Sequence, residues 1–528
     1  MEQALAAGFA RWDRDLLTHV RGPFAIVVWD REAQRGLLAQ DQLGGRSLFT
    51  FVDGSRLLFA TEVALLLRML PRRPDPDELA LACHLVDHSV PDGRTLFSGV
   101  RRIGGGRCLE LSPAGHVARR YWAPRYHSPL NAPRTELAAR LREELSGAIV
   151  DAIPPDGASA LMLSGGLDSS VVAGIAAPRA PGMRAVSAAF PSEPELDETR
   201  WARQVADYTG LPITTVEIER REPFEAADAY LRAWHLPLPV PGLIIEEPLV
   251  ATASGLGAGV VLDGQGGDEL FGAAYYAISD RLRQMRPLAA WRLTKRMPWM
   301  GASPPRRLVR QVFMDVGVRG ALPPRLHQRM RRHRDAGRHM PGWLGARTTE
   351  LYRETEDPWR WKQLDGPRGW AWLADTLTRG REITDIADYV RRRARVHHVE
   401  ARSPLLDLGL VELALRLPPE INFDPVLARP LVREAVRDAL PAEVLTRPDK
   451  RDFAPLQHRL LQTPENMARV RQLLDQRTAL VREHVDLGRF HREVLNRAVA
   501  VGAPDWRVWA VQVWNVATAE MWLRNNAA

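Results

Sequence analysis

Ser164-Gly-Gly-Leu-Asp-Ser-Ser170 follows the apolar run Leu161–Leu163 and offers the residue types that hold phosphate. Gly165 and Gly166 permit positive φ angles and close backbone approach, so successive N–H groups can line a concave anion site. The helix predicted over Ser169 to Ala177 turns its free amides and its dipole toward the same place. No lysine follows the glycines, which excludes the G-x-x-x-x-G-K-[ST] loop of γ-phosphoryl transfer and points to cleavage of a different bond. A second glycine-rich turn, Asp263-Gly-Gln-Gly-Gly-Asp268, repeats the acidic element. One Mg²⁺ bridging Asp168 and Asp268 through phosphate oxygens suits an ion that commonly takes one or two carboxylates. Each aspartate taken alone is equally explained as a turn residue or helix cap.

Elements that could position these turns alternate along the chain. Strands are expected at Ser159–Leu163, Arg184–Phe190, Ile213–Ile218 and Gly259–Leu262, and helices at Ser169–Ala177, Leu196–Thr209, Pro223–Trp234 and Pro248–Leu256. This is the rhythm of an α/β doubly wound parallel sheet, whose ligands bind outside the carboxyl ends of the strands. Residues 1–125 instead carry short strand-like runs at Phe24–Trp29, Gly36–Gln40, Leu57–Ala60 and Arg107–Leu111, an α+β module with an antiparallel sheet. Residues 126–135, with Pro129 and Pro133, read as a linker, and residues 136–528 as the second domain, mostly helical after Phe271. The arginine-rich segment Pro304–His339 is expected to be a solvated excursion, with partner or peptide docking as the alternative.

An apolar fraction of 45% and a charged fraction of 26% describe a globular chain, and 528 residues exceed one ordinary core. The N-terminus lacks a basic region followed by an apolar run, and no stretch approaches ~18 uninterrupted apolar residues, so a cytoplasmic location without a membrane span is expected. Cys83 and Cys108 are too few for a disulfide framework or a four-ligand metal site and are expected to be buried and reduced. The net charge of +8 is spread along the chain without aromatic interleaving, which argues against nucleic acid. Lysine occurs only at Lys295, Lys362 and Lys450 against an arginine background. Each position therefore raises the question of whether a compact ammonium is needed there.

The S-G-G-x-D-S string resembles the pyrophosphate (PP) loop of ATP pyrophosphatases, which cut ATP between the α and β phosphates. With His397-His-Val-Glu-Ala-Arg-Ser-Pro-Leu-Leu-Asp407 and Thr446-Arg-Pro-Asp-Lys-Arg-Asp-Phe453, the four ordered motifs resemble the synthetase domain of the asparagine synthetase family, which includes β-lactam synthetases and lasso peptide cyclases. The resemblance implies that a carboxylate is adenylated by Mg-ATP and then attacked by an amine, with release of AMP. It assigns Leu163, Ser164, Gly165, Gly166, Ser169 and Ser170 to ATP phosphates. Asp263, Gly264 and Ala188 fall near the nucleoside, and Asp168 and Asp268 on magnesium. Lys450 would stabilise charge as the acyl-adenylate collapses. Glu400 would orient a group or accept a proton, or else form a helix-packing salt bridge with Arg402 or Arg395.

Two departures bear on the substrate. Gln265 stands where asparagine synthetases carry a glutamate and β-lactam synthetases a tyrosine, and glutamine cannot act as a general base. Gly22–Asp30, Gln40–Arg46 and Phe59–Glu62 resemble interior strings of the family's glutaminase domain, yet position 2 is Glu2 and the family's first strands are expected to be missing. The domain's N-terminal cysteine nucleophile has no counterpart, which implies a degenerate, shortened module and a nitrogen donor other than glutamine.

These departures, with the tryptophan-rich tail Trp506–Trp522, resemble the lasso peptide cyclases most. They imply macrolactam closure on a precursor core peptide, with a leader peptidase and a leader-binding recognition domain as partners. An α-amine, with a pKa near ~7.7–8, is partly neutral at neutral pH and tolerates a missing base. A glutamine-independent asparagine or β-lactam type synthetase on a small molecule is the alternative within the same chemistry, and an inactive nucleotide-binding scaffold the alternative outside it.

Overall fold

A computed structural model describes residues 2–86, 90, 93–218, 222–298, 304–324, 326, 340–355, 359–379, 381–448 and 452–527. Strands β1 (Ala25–Asp30), β2 (Arg35–Gln40), β6 (Arg107–Ser112) and β7 (Gly115–Arg120) form one antiparallel sheet in the order β1-β2-β6-β7. Strands β3 (Phe49–Asp53), β4 (Arg56–Ala60) and β5 (Arg101–Arg102) form a second, in the order β4-β3-β5. The run Leu37-Leu38-Ala39 lacks polar alternation because β2 is covered on both faces. Leu38 packs with Leu48, Ile103 and Leu109, while Leu37 and Ala39 meet Phe9, Leu16 and Leu17 from the N-terminal helical turns.

The third sheet is parallel throughout, in the order β10-β9-β8-β11-β12, from β8 (Ser159–Met162), β9 (Arg184–Ala189), β10 (Ile213–Glu217), β11 (Val260–Leu262) and β12 (Glu400–Arg402). Alternate residues face opposite layers, as strand geometry requires. Leu161, Ala185 and Leu262 pack with Leu141, Val172 and Val205 on one face, and Ala160, Val186 and Val261 with Leu249, Ala253 and Ala394 on the other. The chain leaves β8 toward β9 and β10, then returns to place β11 on the opposite side of β8. The switch point therefore lies between the carboxyl ends of β8 and β11, the place where such sheets open a ligand crevice.

Several sequence expectations need correction. Glu400–Arg402, read within a helix-packing motif, is the fifth strand; three residues are too short to show a period. The helix expected from Leu196 begins at Thr199, because Asp197 spends its carboxylate on the Thr199 and Phe190 amides and fixes a turn before it. Within the arginine-rich segment, Leu308–Val318 is a wide-turn helix whose Val312 packs against Ile278 and Leu293, so this part is docked rather than solvated. Residues 325 and 327–339 lie outside the described residues.

The Trp506–Ala527 helix belongs to the core. Trp509, Trp514 and Trp522 donate their indole N–H groups to the carbonyls of Val494, Leu238 and His235 at 3.0–3.1 Å. The same buried cluster takes in Phe49, Leu66, Leu81 and Phe97 from the first 100 residues. Ion pairs reinforce that junction, since Glu62 and Arg102 meet Asp388, Arg391 and Arg392 on the helix Arg381–Val396. Burial opposes ionisation of Asp388, but Arg102, Arg391 and Arg392 outweigh it and hold its carboxyl far below the usual carboxylate range. Cys83 and Cys108 are both buried. Among the described residues no helix is long and apolar enough to cross a membrane.

Candidate active site

The loop after β8 gains its shape from Gly165, at φ +75°, where a Cβ would lie 2.5 Å from the Ala202 amide nitrogen. Both the backbone angle and the packing exclude other residues there. The following helix starts at Leu167, two residues earlier than expected, with Gly166 as its N-cap. Ser169 and Ser170 thus lie inside its first turn. Ser169 is buried, and its hydroxyl accepts from the Ser164 amide at 3.2 Å and donates to the Gly166 carbonyl at 3.3 Å, but the residue lines the cavity. Ser170 is fully buried and donates its hydroxyl to the Gly166 carbonyl at 2.7 Å, so it supports the loop from beneath and does not line the cavity beside it.

The turn after β11 lies directly on this loop. A Cβ on Gly264 would come 2.6 Å from the Ser169 amide nitrogen, and one on Gly267 would come 2.1 Å from Asp168 Oδ1. At Gly264 the backbone of the first turn leaves no room for a side chain, and at Gly267 the Asp168 side chain occupies the space a Cβ would take. Asp263 sits at the base of the second turn and accepts from the Gln265 amide at 3.0 Å, while its Oδ2 is buried with no hydrogen-bond partner among the described residues. Burial pushes its carboxyl up to about 7, against the pull of the Gln265 amide and the Ser403 hydroxyl.

Between the two turns opens a cavity of about 510 Å³. Leu163, Ser164, Gly165, Gly166, Asp168, Ser169, Ala188, Asp263, Gly264, Gln265 and Asp268 all line it, and its remaining wall is mainly apolar, with Phe190, Val240, Leu243, Ile386 and Phe453. Lys450 lies outside the described residues; Pro448 and Phe453 on either side of it line the cavity. Glu400 does not line it. Its carboxylate is paired with Arg46 and with Arg402 at 2.9 Å, while Arg395 turns to Glu62. Burial disfavours the Glu400 charge, but Arg402 and Arg46 prevail and hold the group below its usual range, the opposite of what a base near neutral pH needs.

Three arginines that the sequence reading did not single out complete the wall. Arg429 reaches both Asp168 and Asp268, the latter at 3.2 Å. Arg447 is paired with Glu198, and its guanidinium lies over the Trp201 ring. Arg433 donates to the carbonyls of Ala428, Leu445 and Arg447, tying the segment before Lys450 to the helix Pro430–Ala435. In a chain where arginine is the default cation, none of the three stands out. Lys362, by contrast, answers the question raised by the sparse lysines: its buried ammonium donates to the Arg319 carbonyl at 2.8 Å and lies over Trp359, far from this chemistry.

Asp168 and Asp268 present hard oxygen donors that already share one cationic partner, a donor set that fits magnesium completed by phosphate oxygens. Among the described residues, no group of three or more His, Cys, Asp or Glu side chains forms a denser metal site.

A glycine loop and helix N-terminus at the switch point of a parallel sheet, with paired carboxylates across a second turn, define a nucleotide-using α/β domain. Residues 140–524 match the asparagine synthase family, and residues 2–122 match a glutamine amidotransferase domain. The chain belongs to the asparagine synthase family and is an ATP-dependent, amide-forming enzyme of that type. It is 27% identical over 495 residues to a Mycobacterium tuberculosis protein provisionally named a glutamine-hydrolyzing asparagine synthetase, covering 86% of this chain and 70% of that protein. It is 28% identical over 268 residues to the carboxyethyl-arginine beta-lactam-synthase of Streptomyces clavuligerus, 48% of each chain. A Penicillium rubens protein named amidase chyE is 27% identical over 292 residues, 51% of this chain and 42% of that protein.

Proposed function

We propose that this chain activates a side-chain carboxylate of a precursor peptide and joins it to the peptide's own α-amine, closing a lasso-type macrolactam. The observation that carries the reading is Gln265 at the mouth of the second turn, in the cavity that the Ser164–Gly166 loop and the aspartate pair also line. A primary amide can orient an amine by hydrogen bonding but cannot take its proton. An α-amine, with an ordinary pKa near ~7.7–8, supplies a neutral fraction without help.

In this reading the carboxylate oxygen attacks the α-phosphorus of ATP and pyrophosphate leaves. The neutral amine then attacks the acyl carbon, the C–O bond to AMP breaks, and the amine proton is lost to solvent. The amides of the Ser164–Gly166 loop and the first turn of the Leu167–Ala176 helix bind the phosphates. Asp168 and Asp268 would hold magnesium, which when bound supplies positive charge to the departing pyrophosphate. Lys450 would neutralise charge on the acyl-adenylate. Phe190, Leu243 and Phe453 exclude water that would hydrolyse it. The leader peptidase, the leader-binding partner and a cytoplasmic location belong to the same proposal.

Mass spectrometry of purified protein with Mg-ATP and the linear core peptide tests it: loss of one water from the peptide with stoichiometric AMP is expected. The named relatives favour a second reading, a small-molecule amide synthetase, and AMP formed only with aspartate and ammonia would establish it.

A further inference from the structure

Two strings of the N-terminal domain, Gln40–Arg46 and Phe59–Glu62, converge on one helix of the second domain, Arg381–Val396. Glu62 pairs with Arg391 at 3.1 Å and with Arg392 at 2.7 Å. Ser47, the residue after the first string, donates its hydroxyl to the Asp388 carboxylate at 2.7 Å, and the Gly45 carbonyl accepts from Arg391 at 3.3 Å. Glu62, Ser47, Asp388, Arg391 and Arg392 are all buried. Such a network holds its members to one geometry, because breaking a pair strands a charge away from water.

The opposite stripe of the same helix faces the cavity wall. Ile386, Tyr389 and Arg393 recur at helical spacing, and Ile386 stands ~200° around the helix from Asp388. Ile386 lines the cavity. Tyr389 donates its hydroxyl to the Leu243 carbonyl at 2.7 Å, and Arg393 pairs with Glu246 at 2.5 Å while its guanidinium lies over the Tyr389 ring. Leu243 and Glu246 themselves line the cavity, where the turn Pro241–Ile245 runs into the helix Glu246–Gly255. One helix therefore ties the N-terminal domain on one side to a wall of the reaction chamber on the other. With phosphates on the glycine turns and the nucleoside at Ala188 and Gly264, that wall falls to the acyl substrate.

Resting on this placement of the nucleotide in the functional reading above, we propose that Glu62 is a positioning residue for amide formation. It touches neither substrate nor nucleotide. It fixes the helix, and through Tyr389 and Arg393 the helix fixes Leu243 and Glu246 where the carboxylate-bearing substrate docks. The N-terminal domain then serves the reaction by shaping the acyl site from behind.

AMP formation by the full chain, titrated with linear core peptide and separately with ATP, tests the proposal in Glu62→Gln, in Tyr389→Phe and in the double variant. Aspartate with ammonia takes the peptide's place if the protein turns over only these. Each single variant is expected to raise KM for the acyl substrate at least fivefold, with kcat and KM for ATP within twofold. Because both act through one helix, the double variant should match the larger single effect and not the product of the two. Ser47→Ala, which loses only the hydroxyl contact to Asp388, replaces Glu62→Gln in the same cycle should that variant fail to fold. A lowered melting temperature with unchanged KM makes the network merely structural and overturns the proposal. So do effects that multiply, a loss confined to kcat, or a rise in KM for ATP instead, and each leaves the amide-forming reading intact. No AMP from the unaltered protein with either substrate overturns both.

Discussion

Asp263→Asn should make this protein more stable, and increasingly so as the pH rises. Asp263 is fully enclosed at the base of the second turn; the Gln265 amide and Ser403 hydroxyl face it, with Glu246 raising and Arg393 lowering its pKa. Burial leads these effects and moves its carboxyl from 3.8 to about 7. In the unfolded chain the group has lost its proton by pH 5, whereas in the folded chain it holds the proton until about pH 7. Its contribution is therefore fully present below pH ~4 and disappears as the pH climbs through 7. At about 1.36 kcal/mol per pH unit the whole excursion is at most roughly 4 kcal/mol, of which roughly 3 falls between pH 5 and pH 8. Asparagine has nearly the same shape and no proton to lose. With an unfolding entropy of about 2.1 cal/mol/K per residue, a chain of this length converts that loss into a difference of roughly 2 to 3 °C in Tm. Paired thermal scans of both proteins at pH 5, 6, 7 and 8 should show the gap widening to pH 7 and then levelling. A constant gap, or one that narrows with pH, would refute the argument that Asp263 is held neutral by burial.

Gly267→Ala places a methyl group 2.1 Å from Asp168 Oδ1, so the Asp168 carboxylate must turn away or the two turns separate; calorimetry should show at least a tenfold loss of Mg-ATP affinity, and an unchanged affinity would mean the contact is dispensable. Ser170→Ala removes the hydroxyl bond to the Gly166 carbonyl and should cost about 1 kcal/mol in unfolding while leaving ATP affinity within twofold. The reverse pattern would return Ser170 to phosphate binding. Glu400→Gln breaks a half-exposed pairing with Arg46 and Arg402, worth about 1 kcal/mol or less. AMP formation should stay within a few-fold of wild type with an unaltered pH profile, whereas a hundredfold loss of kcat with a displaced acid limb would make Glu400 the base.

Chemistry written in contiguous residues was the legible part of this site. Ser164 to Ser169 and Asp263 to Asp268 carry their glycines, hydroxyls and carboxylates within single turns, and both turns come together at the cavity. Arg429 stands 261 residues from the Asp168 it pairs with, in a background of arginine, so neither spacing nor composition could single it out. β12 escaped for a related reason: three residues completing a sheet edge are defined by their neighbour β11 and not by their own pattern. The tryptophans of the final helix entered the sequence reading only as part of a family resemblance, and composition could not show that the indole N–H groups of Trp509, Trp514 and Trp522 find buried carbonyls. Ser170 differs from Ser169 only by one helical position, yet that step takes it from the cavity wall to full burial behind the loop.

The most direct test of the account follows one oxygen atom. A linear core peptide whose side-chain carboxylate carries oxygen-18 is incubated with the protein and Mg-ATP, and the nucleotides are analysed by mass spectrometry. Adenylation followed by amine attack leaves one labelled oxygen on AMP for every macrolactam formed. Unlabelled AMP, or label appearing in inorganic phosphate beside ADP, would contradict adenylation of the peptide carboxylate as the driving step.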